Sequence, residues 1–349
     1  MTNTKLRVNM LSSSEKVPGQ GVSGAYRELM RLLKRDASDQ LLLTENQRVV
    51  ADITHYHTID FPFYLSTFAK ARVGRRIGYV HFLPDTLKGS LKIPAFLSPL
   101  VAKYVTSFYN RMDHLVVVNP SFIDDLVAFG IRRDKISYIP NFVNKEKWFR
   151  PSQEEIGQLR HKYGWQDKDF VVLGAGQIQK RKGIDDFVAL AKEHPDIEFV
   201  WAGGFSFGGM TDGYDKYKKL MKHPPNNLTF TGIVDADEMR QLYGACDVFL
   251  LPSFNELFPM TILEAAACGA PVMLRDLELY RIILEGMYFP AKDKAAMGAG
   301  LLELKQNTQQ LEHLKEQSAL ISKTYSEERL LEIWLDFYQQ QAKLHTQES

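Results

Sequence analysis

The chain has 349 residues, of which 45% are hydrophobic and 24% charged, with two cysteines. That length suits two domains of ordinary size, and the balance excludes a disordered chain, a collagen-like repeat and a disulfide scaffold. The formal net charge of +1 hides an asymmetry: residues 1–150 carry 22 Lys and Arg against 13 Asp and Glu, whereas residues 151–349 carry 21 against 29. A basic first half points to contact with an anionic surface.

Taken in chain order, short apolar runs alternate with helical patterns. LRVNML (6–11) reads as a strand, followed by a Gly-rich loop and a helix from about Ala25 to Arg35. DITHYH (52–57), RIGYVHF (76–82), HLVVVN (114–119) and KISYIPN (135–141) read as further strands, and SFIDDLVAFGI (121–131) as a helix that Ser121 could cap. The polar segment NKEKWFRPSQEE is taken as a linker. The rhythm then restarts: strands FVVLGAG (170–176), IEFVWAGG (197–204), NLTFTG (227–232), DVFLLPS (247–253) and APVML (270–274) alternate with helices over 182–194, 236–246 and 260–269. A last helix, 326–343, carries apolar Leu330, Ile333, Trp334 and Phe337. The βαβ rhythm predicts two doubly wound parallel sheets in series, with the binding cleft outside their strand carboxyl ends. The expected division is 1–148, 149–325 and 326–349, the last helix crossing back to the first domain.

The N-terminal MTNTKLRVNMLSSSEK lacks the apolar core of a signal peptide, and no apolar run is long enough to span a bilayer. These features predict a cytoplasmic protein with peripheral membrane contact only. Cys246 and Cys268 sit in no metal-ligand spacing and read as small buried apolar residues.

The most specific chemistry lies in FNELFPMTILEAAACGAPV (254–272), where Glu256 and Glu264 stand eight residues apart around a helix start. The amides of Met260 and Thr261 at that N-terminus suit a diphosphate. Glu264, inside the helix, suits ribose hydroxyls, and Glu256, just ahead of it, suits a hexose carried on the phosphate. Gly19, Gly21 and Gly24 form a G-x-G-x-x-G spacing, but no acid follows about 20 residues on in a clean βαβ context, which argues against a nicotinamide site. Asp167-x-Asp169 and Asp235-x-Asp237 have a spacing that can hold a metal on a diphosphate, but each lies just before a secondary element and reads as a cap or turn.

The Glu-x7-Glu string resembles the motif of retaining glycosyltransferases of family 4. TGIVDADEMRQLYGACDVFLLPS, GAGQIQKRKGID and YIPNFV resemble that family's flanking segments over nearly the whole chain. QKRKGID and DITHYHTIDFPFYL are similar to the bacterial, notably streptococcal, glycolipid synthases that galactosylate monoglucosyl-diacylglycerol or glucosylate diacylglycerol. The resemblance implies an α/β protein of the GT-B fold, two doubly wound Rossmann-like domains facing a central cleft. It implies hexose transfer from UDP-glucose or UDP-galactose to a glycerolipid acceptor at the inner membrane face. A family 4 enzyme acting on a cell-wall or capsular polysaccharide is the alternative.

The resemblance also implies roles residue by residue. Lys182 falls on the phosphate-binding lysine. The family's usual arginine is Gln177 in this chain, which leaves Arg181 to supply the second charge. Gly21 would approach the donor phosphates, the backbone near Ile233 would contact uracil, and His81 would contact the donor sugar near the reaction centre. Basic side chains and helix amides replace a metal, so neither metal nor other cofactor is implied, and no nucleic acid partner. His55 and His57 are read as pointing to alternate faces of their strand, one of them toward the acceptor. Asn119 and Ser121 resemble a cleft-lining pair. The basic run Lys70, Arg72, Arg75 and Arg76, with an amphipathic helix over roughly 95–112, is expected to lie on an anionic bilayer.

Overall fold

The computed structural model describes residues 5–14, 21–81, 83, 98–205 and 213–348. The chain divides into two compact units, one of residues 1–141 with Glu327–Ser349, the other Phe142–Ser326. No helix among the described residues is long and apolar enough to cross a membrane.

The first unit holds six parallel strands: β1 Leu6–Leu11, β2 Leu41–Glu45, β3 Ile53–Tyr56, β4 Arg75–Val80, β5 His114–Val117 and β6 Ile136–Tyr138, in the order β2-β1-β3-β4-β5-β6. The second holds β7 Val171–Ala175, β8 Glu198–Ala202, β9 Leu228–Gly232, β10 Val248–Leu251, β11 Val272–Arg275 and β12 Phe289–Ala291, in the order β12-β11-β10-β7-β8-β9. The second order is that of a dinucleotide-type doubly wound sheet, with its reversal between β7 and β10. The central strands β7, β10 and β11 are buried along their whole length, as sheets covered on both faces require.

Two edge strands escape the sequence reading. β2 is half-exposed beyond its first residue, and β12 is three residues long with Pro290 at its centre. Proline is tolerated there because an edge strand leaves one row of amides unpaired.

Packing in the second unit turns on close approach. A Cβ at Gly174 would lie 2.6 Å from the Trp201 ring and 2.8 Å from Phe187. Glycine there lets helix Ile184–Glu193 press Phe187 edge-on against Trp201, with ring centroids 5.0 Å apart. The segment read as a linker belongs to this unit. Trp148 is buried against Tyr243, and the Val143 amide donates to the Tyr325 carbonyl at 3.3 Å. Helix Gln153–Tyr163 then opens with a reciprocal cap between Ser152 and Glu155. The boundary therefore falls at residue 141, seven residues before the expected one, because composition marks polarity and burial decides membership.

In the first unit, the helix Glu327–Glu348 buries Leu330, Trp334, Phe337 and Tyr338, an i, i+4, i+7, i+8 stripe. Its buried Glu327 carboxylate pairs with Arg31 and Arg35, and Gln341 accepts from Arg75 Nε at 3.0 Å.

Candidate active site

In the second unit the predicted donor residues collect at the carboxyl edge of the sheet, on both sides of its reversal. β7 leads to the tight turn Lys180–Lys182 and Gly183, and β10 leads to the loop bearing Glu256 and then helix Met260–Ala267. Gly183 adopts φ +75°, and a Cβ there would lie 2.2 Å from the Pro252 carbonyl oxygen. Only glycine lets the two loops touch at this point. The Phe254 amide completes the contact by donating to the Arg181 carbonyl at 2.8 Å.

This docking brings Lys182 Nζ onto Glu256 Oε1 as a hydrogen-bonded ion pair. The two side chains are only 12% and 6% exposed. Burial pulls the Lys182 ammonium below its ordinary range, and the adjacent Glu256 carboxylate opposes that shift. Arg181, half exposed, places Nη1 3.8 Å from Glu256 Oε2 and donates to the Asn255 carbonyl at 3.2 Å. The turn thus presents two cations beside a single carboxylate, and a diphosphate entering here meets positive charge held in a largely dry site.

Glu264 lies on helix Met260–Ala267 and accepts from the buried Tyr243 hydroxyl at 3.2 Å. Burial first, and Glu264 second, hold that phenol protonated. The first amides of the helix, Met260 and Thr261, have no intrahelical acceptor to meet. Ile233 is an exposed apolar residue just past β9, and a Cβ at Gly204 beyond β8 would lie 3.1 Å from its Cγ1.

Three residues that sequence reasoning missed support these loops. Arg275, at the end of β11, donates through Nε to the Pro252 carbonyl at 2.9 Å, pairs with Asp186 and stacks over Phe254 at 3.9 Å. Tyr243, buried on helix Ala236–Ala245, reaches Glu264 across the intervening strand β10, and Tyr280 is buried on helix Glu278–Leu284 after β11; no local spacing signals either.

The two Asp-x-Asp spacings act locally. Asp235 Oδ1 caps helix Ala236–Ala245 by accepting from the Glu238 amide at 2.9 Å, and Asp169 Oδ2 accepts from the Gln166 amide at 2.7 Å. No cluster of His, Cys, Asp and Glu among the described residues is arranged to hold a metal ion.

Several first-unit expectations change. His55 and His57 share a face, with ring centroids 4.1 Å apart, because residues two apart on a strand point the same way. Both are buried, as is His81. His81 lies 4.5 Å from the Tyr79 ring and 6.2 Å from that of His57. Burial pulls His55 and His81 down to about 3 and His57 well below its usual value, so all three are neutral. His55 Nδ1 meets the Tyr338 hydroxyl at 2.8 Å, under the C-terminal helix.

Ser121 does not cap through its side chain. Its hydroxyl donates instead to Asn119 Oδ1 at 2.7 Å. Gly21 opens helix Gly21–Asp36, and Gly19 lies outside the described residues. The amphipathic helix, described from Ser98 to Asn110, turns Val105, Phe108 and Tyr109 into the core of its own unit. Leu100, near the start of the described part, is exposed, and residues 95–97 lie outside the described residues. The basic run divides as well: Lys70 and Arg72 are exposed, whereas Arg75 and Arg76 are buried, Arg76 against Asp113.

Two Rossmann-like domains, the second carrying a lysine–carboxylate pair at its sheet reversal, give the architecture of a GT-B glycosyltransferase. Residues 155–320 match the family described as glycosyl transferases group 1, and residues 15–147 match glycosyltransferase family 4. The chain is 65% identical over 344 residues to the alpha-galactosylglucosyldiacylglycerol synthase of Streptococcus pneumoniae, covering 99% of this chain and 92% of that relative. It belongs to this glycosyltransferase family and is a transferase enzyme. Its fold is similar to that of HepE from Anabaena, solved in complex with UDP-glucose, with TM-score 0.72 and 17% identity over 98% and 100% of the two chains. It is likewise similar to sucrose-phosphate synthase from Thermosynechococcus elongatus, with TM-score 0.76 and 14% identity over 96% and 99%.

Proposed function

We propose that this chain transfers galactose from UDP-galactose to glucosyl-diacylglycerol, with retention at the anomeric carbon, on the inner face of the cell membrane. The observation that carries the reading is the near full-length identity to the pneumococcal synthase, which spans the loops bearing Lys182, Glu256 and Glu264.

Lys182 and Arg181 neutralise the diphosphate as the glycosidic bond breaks, assisted by the amides of Met260 and Thr261. Glu264 accepts from ribose hydroxyls, the backbone at Ile233 meets uracil, and Glu256 orients the hexose. The acceptor hydroxyl attacks from the face that UDP leaves, and the departing phosphate oxygen takes its proton. No protein nucleophile and no metal are required.

The membrane face is assigned to Phe61, Leu65 and Phe68 in and after helix Phe61–Ser66. Each is more than half exposed, and the helix itself contains no buried residue. Lys70 and Arg72 follow directly and are exposed, and Arg111 stacks on Phe68 at 3.5 Å. Aromatic and aliphatic side chains ringed by cations fit an anionic bilayer interface.

A donor-by-acceptor assay tests the reading. UDP-galactose and UDP-glucose are each offered with diacylglycerol, glucosyl-diacylglycerol and a polysaccharide acceptor, and products are resolved by mass and linkage. Galactose transfer to the glycolipid alone supports it. Transfer to the polysaccharide alone refutes it, as does a Glu256→Ala variant that retains more than a tenth of the wild-type rate.

A further inference from the structure

The first sheet has a reversal of its own. Its order β2-β1-β3-β4-β5-β6 turns between β1 and β3, and the crevice outside the carboxyl ends of those two strands is where such a sheet takes a ligand. In the second sheet the corresponding place holds Lys182 and Glu256. In the first it holds Ser13, just past β1, with Thr58 and Asp60, just past β3.

These three are joined across the reversal. The His57 amide donates to the Leu11 carbonyl at 2.8 Å as the strands end. Beyond it the Ser13 amide donates to Thr58 Oγ1 at 3.0 Å. The hydroxyls of Ser13 and Thr58 both donate to Asp60 Oδ2, at 2.7 and 2.5 Å. One carboxylate oxygen is thus held from both strands. The other, Oδ1, accepts no hydrogen bond among the described residues, and no cation among them lies within ion-pair distance of Asp60, which is partly exposed. The same strand end carries a second unspent group. His57 is buried, and neither of its ring nitrogens has a hydrogen-bond partner among the described residues. A neutral imidazole offers one donor and one acceptor, and buried groups of that kind ordinarily find partners.

The chemistry of the free oxygen selects the ligand. A carboxylate without a countercharge repels phosphate and accepts from hydroxyls. The helix Phe61–Ser66 starts at the next residue, and its exposed Phe61 and Leu65, with Phe68 beyond, form the face assigned to the bilayer. A headgroup standing at that surface therefore arrives beside Asp60. Resting on the function proposed above, we propose that Asp60 binds the sugar headgroup of the glycolipid acceptor: Oδ1 accepts from a glucose hydroxyl while Ser13 and Thr58 hold the carboxylate in place. The exposed Lys70 and Arg72 draw the anionic surface, whereas Asp60 admits an uncharged polyol and turns away an anionic headgroup.

The test is Asp60→Asn, which keeps the shape and an oxygen for Ser13 and Thr58 but removes the charge and the free acceptor. With glucosyl-diacylglycerol in mixed micelles, KM for the glycolipid rises at least about tenfold, the loss expected for one hydrogen bond to a charged group, while turnover at saturating glycolipid falls less than about threefold. UDP affinity by calorimetry, KM for UDP-galactose and partition onto anionic liposomes each stay within about twofold. A glycolipid KM within about twofold of wild type overturns the proposal. So does a rise in the UDP-galactose KM instead, which would put the donor hexose at this carboxylate, or a fall in liposome partition that matches the KM change, which would put Asp60 in membrane docking. If Asp60→Asn melts several degrees lower, Ser13→Ala decides: it leaves the charge, loosens its hold and raises the glycolipid KM about threefold, and an unchanged KM there overturns the proposal. An unaffected Asp60→Asn beside a wild type that galactosylates the glycolipid removes only this inference, whereas a wild type that does not use the glycolipid removes the function beneath it.

Discussion

Glu256→Gln asks what the Lys182–Glu256 pair contributes before any substrate arrives. Both side chains are nearly enclosed, and removing one member of a buried pair strands the other charge at a cost of about 3–5 kcal/mol. Arg181 opens the site to water on one side, which discounts that cost to about 2–3 kcal/mol. In a unit of this size that lowers the melting temperature by roughly 4–12 °C. Donor binding inverts the effect. On the function proposed above, UDP gains Lys182 in the wild type only by breaking an existing ion pair, whereas in the variant its diphosphate supplies the countercharge that is missing. UDP should therefore bind the variant about tenfold more tightly, or about 1.4 kcal/mol, and raise its melting temperature more than that of the wild type. Without Glu256, burial of Lys182 goes unopposed and its pKa falls further. UDP affinity, which needs the charged ammonium, then declines at a lower pH than in the wild type. Transfer is lost throughout. Calorimetric UDP titration and thermal melting with and without UDP read these outcomes. A variant that melts like the wild type and binds UDP no more tightly would show that the pair carries no such tension.

Three further outcomes follow from particular contacts. Gly183→Ala puts a Cβ onto the Pro252 carbonyl in a left-handed backbone, so thermal denaturation should show a loss of about 2–4 kcal/mol, and UDP binding should weaken at least tenfold as Lys182 shifts; unchanged binding would refute the docking role of the turn. Replacing Phe61, Leu65 and Phe68 together by serine should lower partition onto anionic liposomes by two or more orders of magnitude, from about 1–2 kcal/mol per side chain, with turnover on short soluble acceptors preserved; unaltered liposome partition would place the membrane face elsewhere. His55, His57 and His81 are neutral when folded and protonate when unfolded below about pH 6.5, so acid favours unfolding: stability present above that pH is lost progressively toward pH 3. Replacing His55 by phenylalanine should flatten the fall of melting temperature between pH 6.5 and 4, and an unchanged slope would contradict the burial of that imidazole.

Much of this molecule is legible in local sequence because local physics produces it. Runs such as VVLGA and VFLL are apolar at every position, the mark of a strand covered on both faces, and their alternation with helical periods forces parallel sheets. The eight-residue separation of Glu256 and Glu264 places one acid before a helix start and the other within it, a relation that the backbone imposes regardless of the rest of the chain. Cations placed after a strand and before Gly183 mark a turn at a sheet edge for the same reason.

Pairings made by the sheet order are absent from any local window. Lys182 and Glu256 are 74 residues apart, and they meet because β7 and β10 are neighbours at the sheet reversal. The same adjacency, extended to β11, brings Arg275 onto Pro252. Composition misleads where burial decides. Arg75 and Arg76 count toward the basic first half yet lie inside it, and helix Ser98–Asn110 gives Val105, Phe108 and Tyr109 to the core of its own unit, whereas Leu100, Phe61, Leu65 and Phe68 stand in water. Fold class, the strand and helix rhythm, and the residue types at the sheet edges are written in the chain itself, because they depend on contacts a few residues apart. Which charges are paired, which apolar side chains stay exposed and which hydroxyls lack a partner emerge on folding alone, because burial is a property of neighbours brought together from distant parts of the chain.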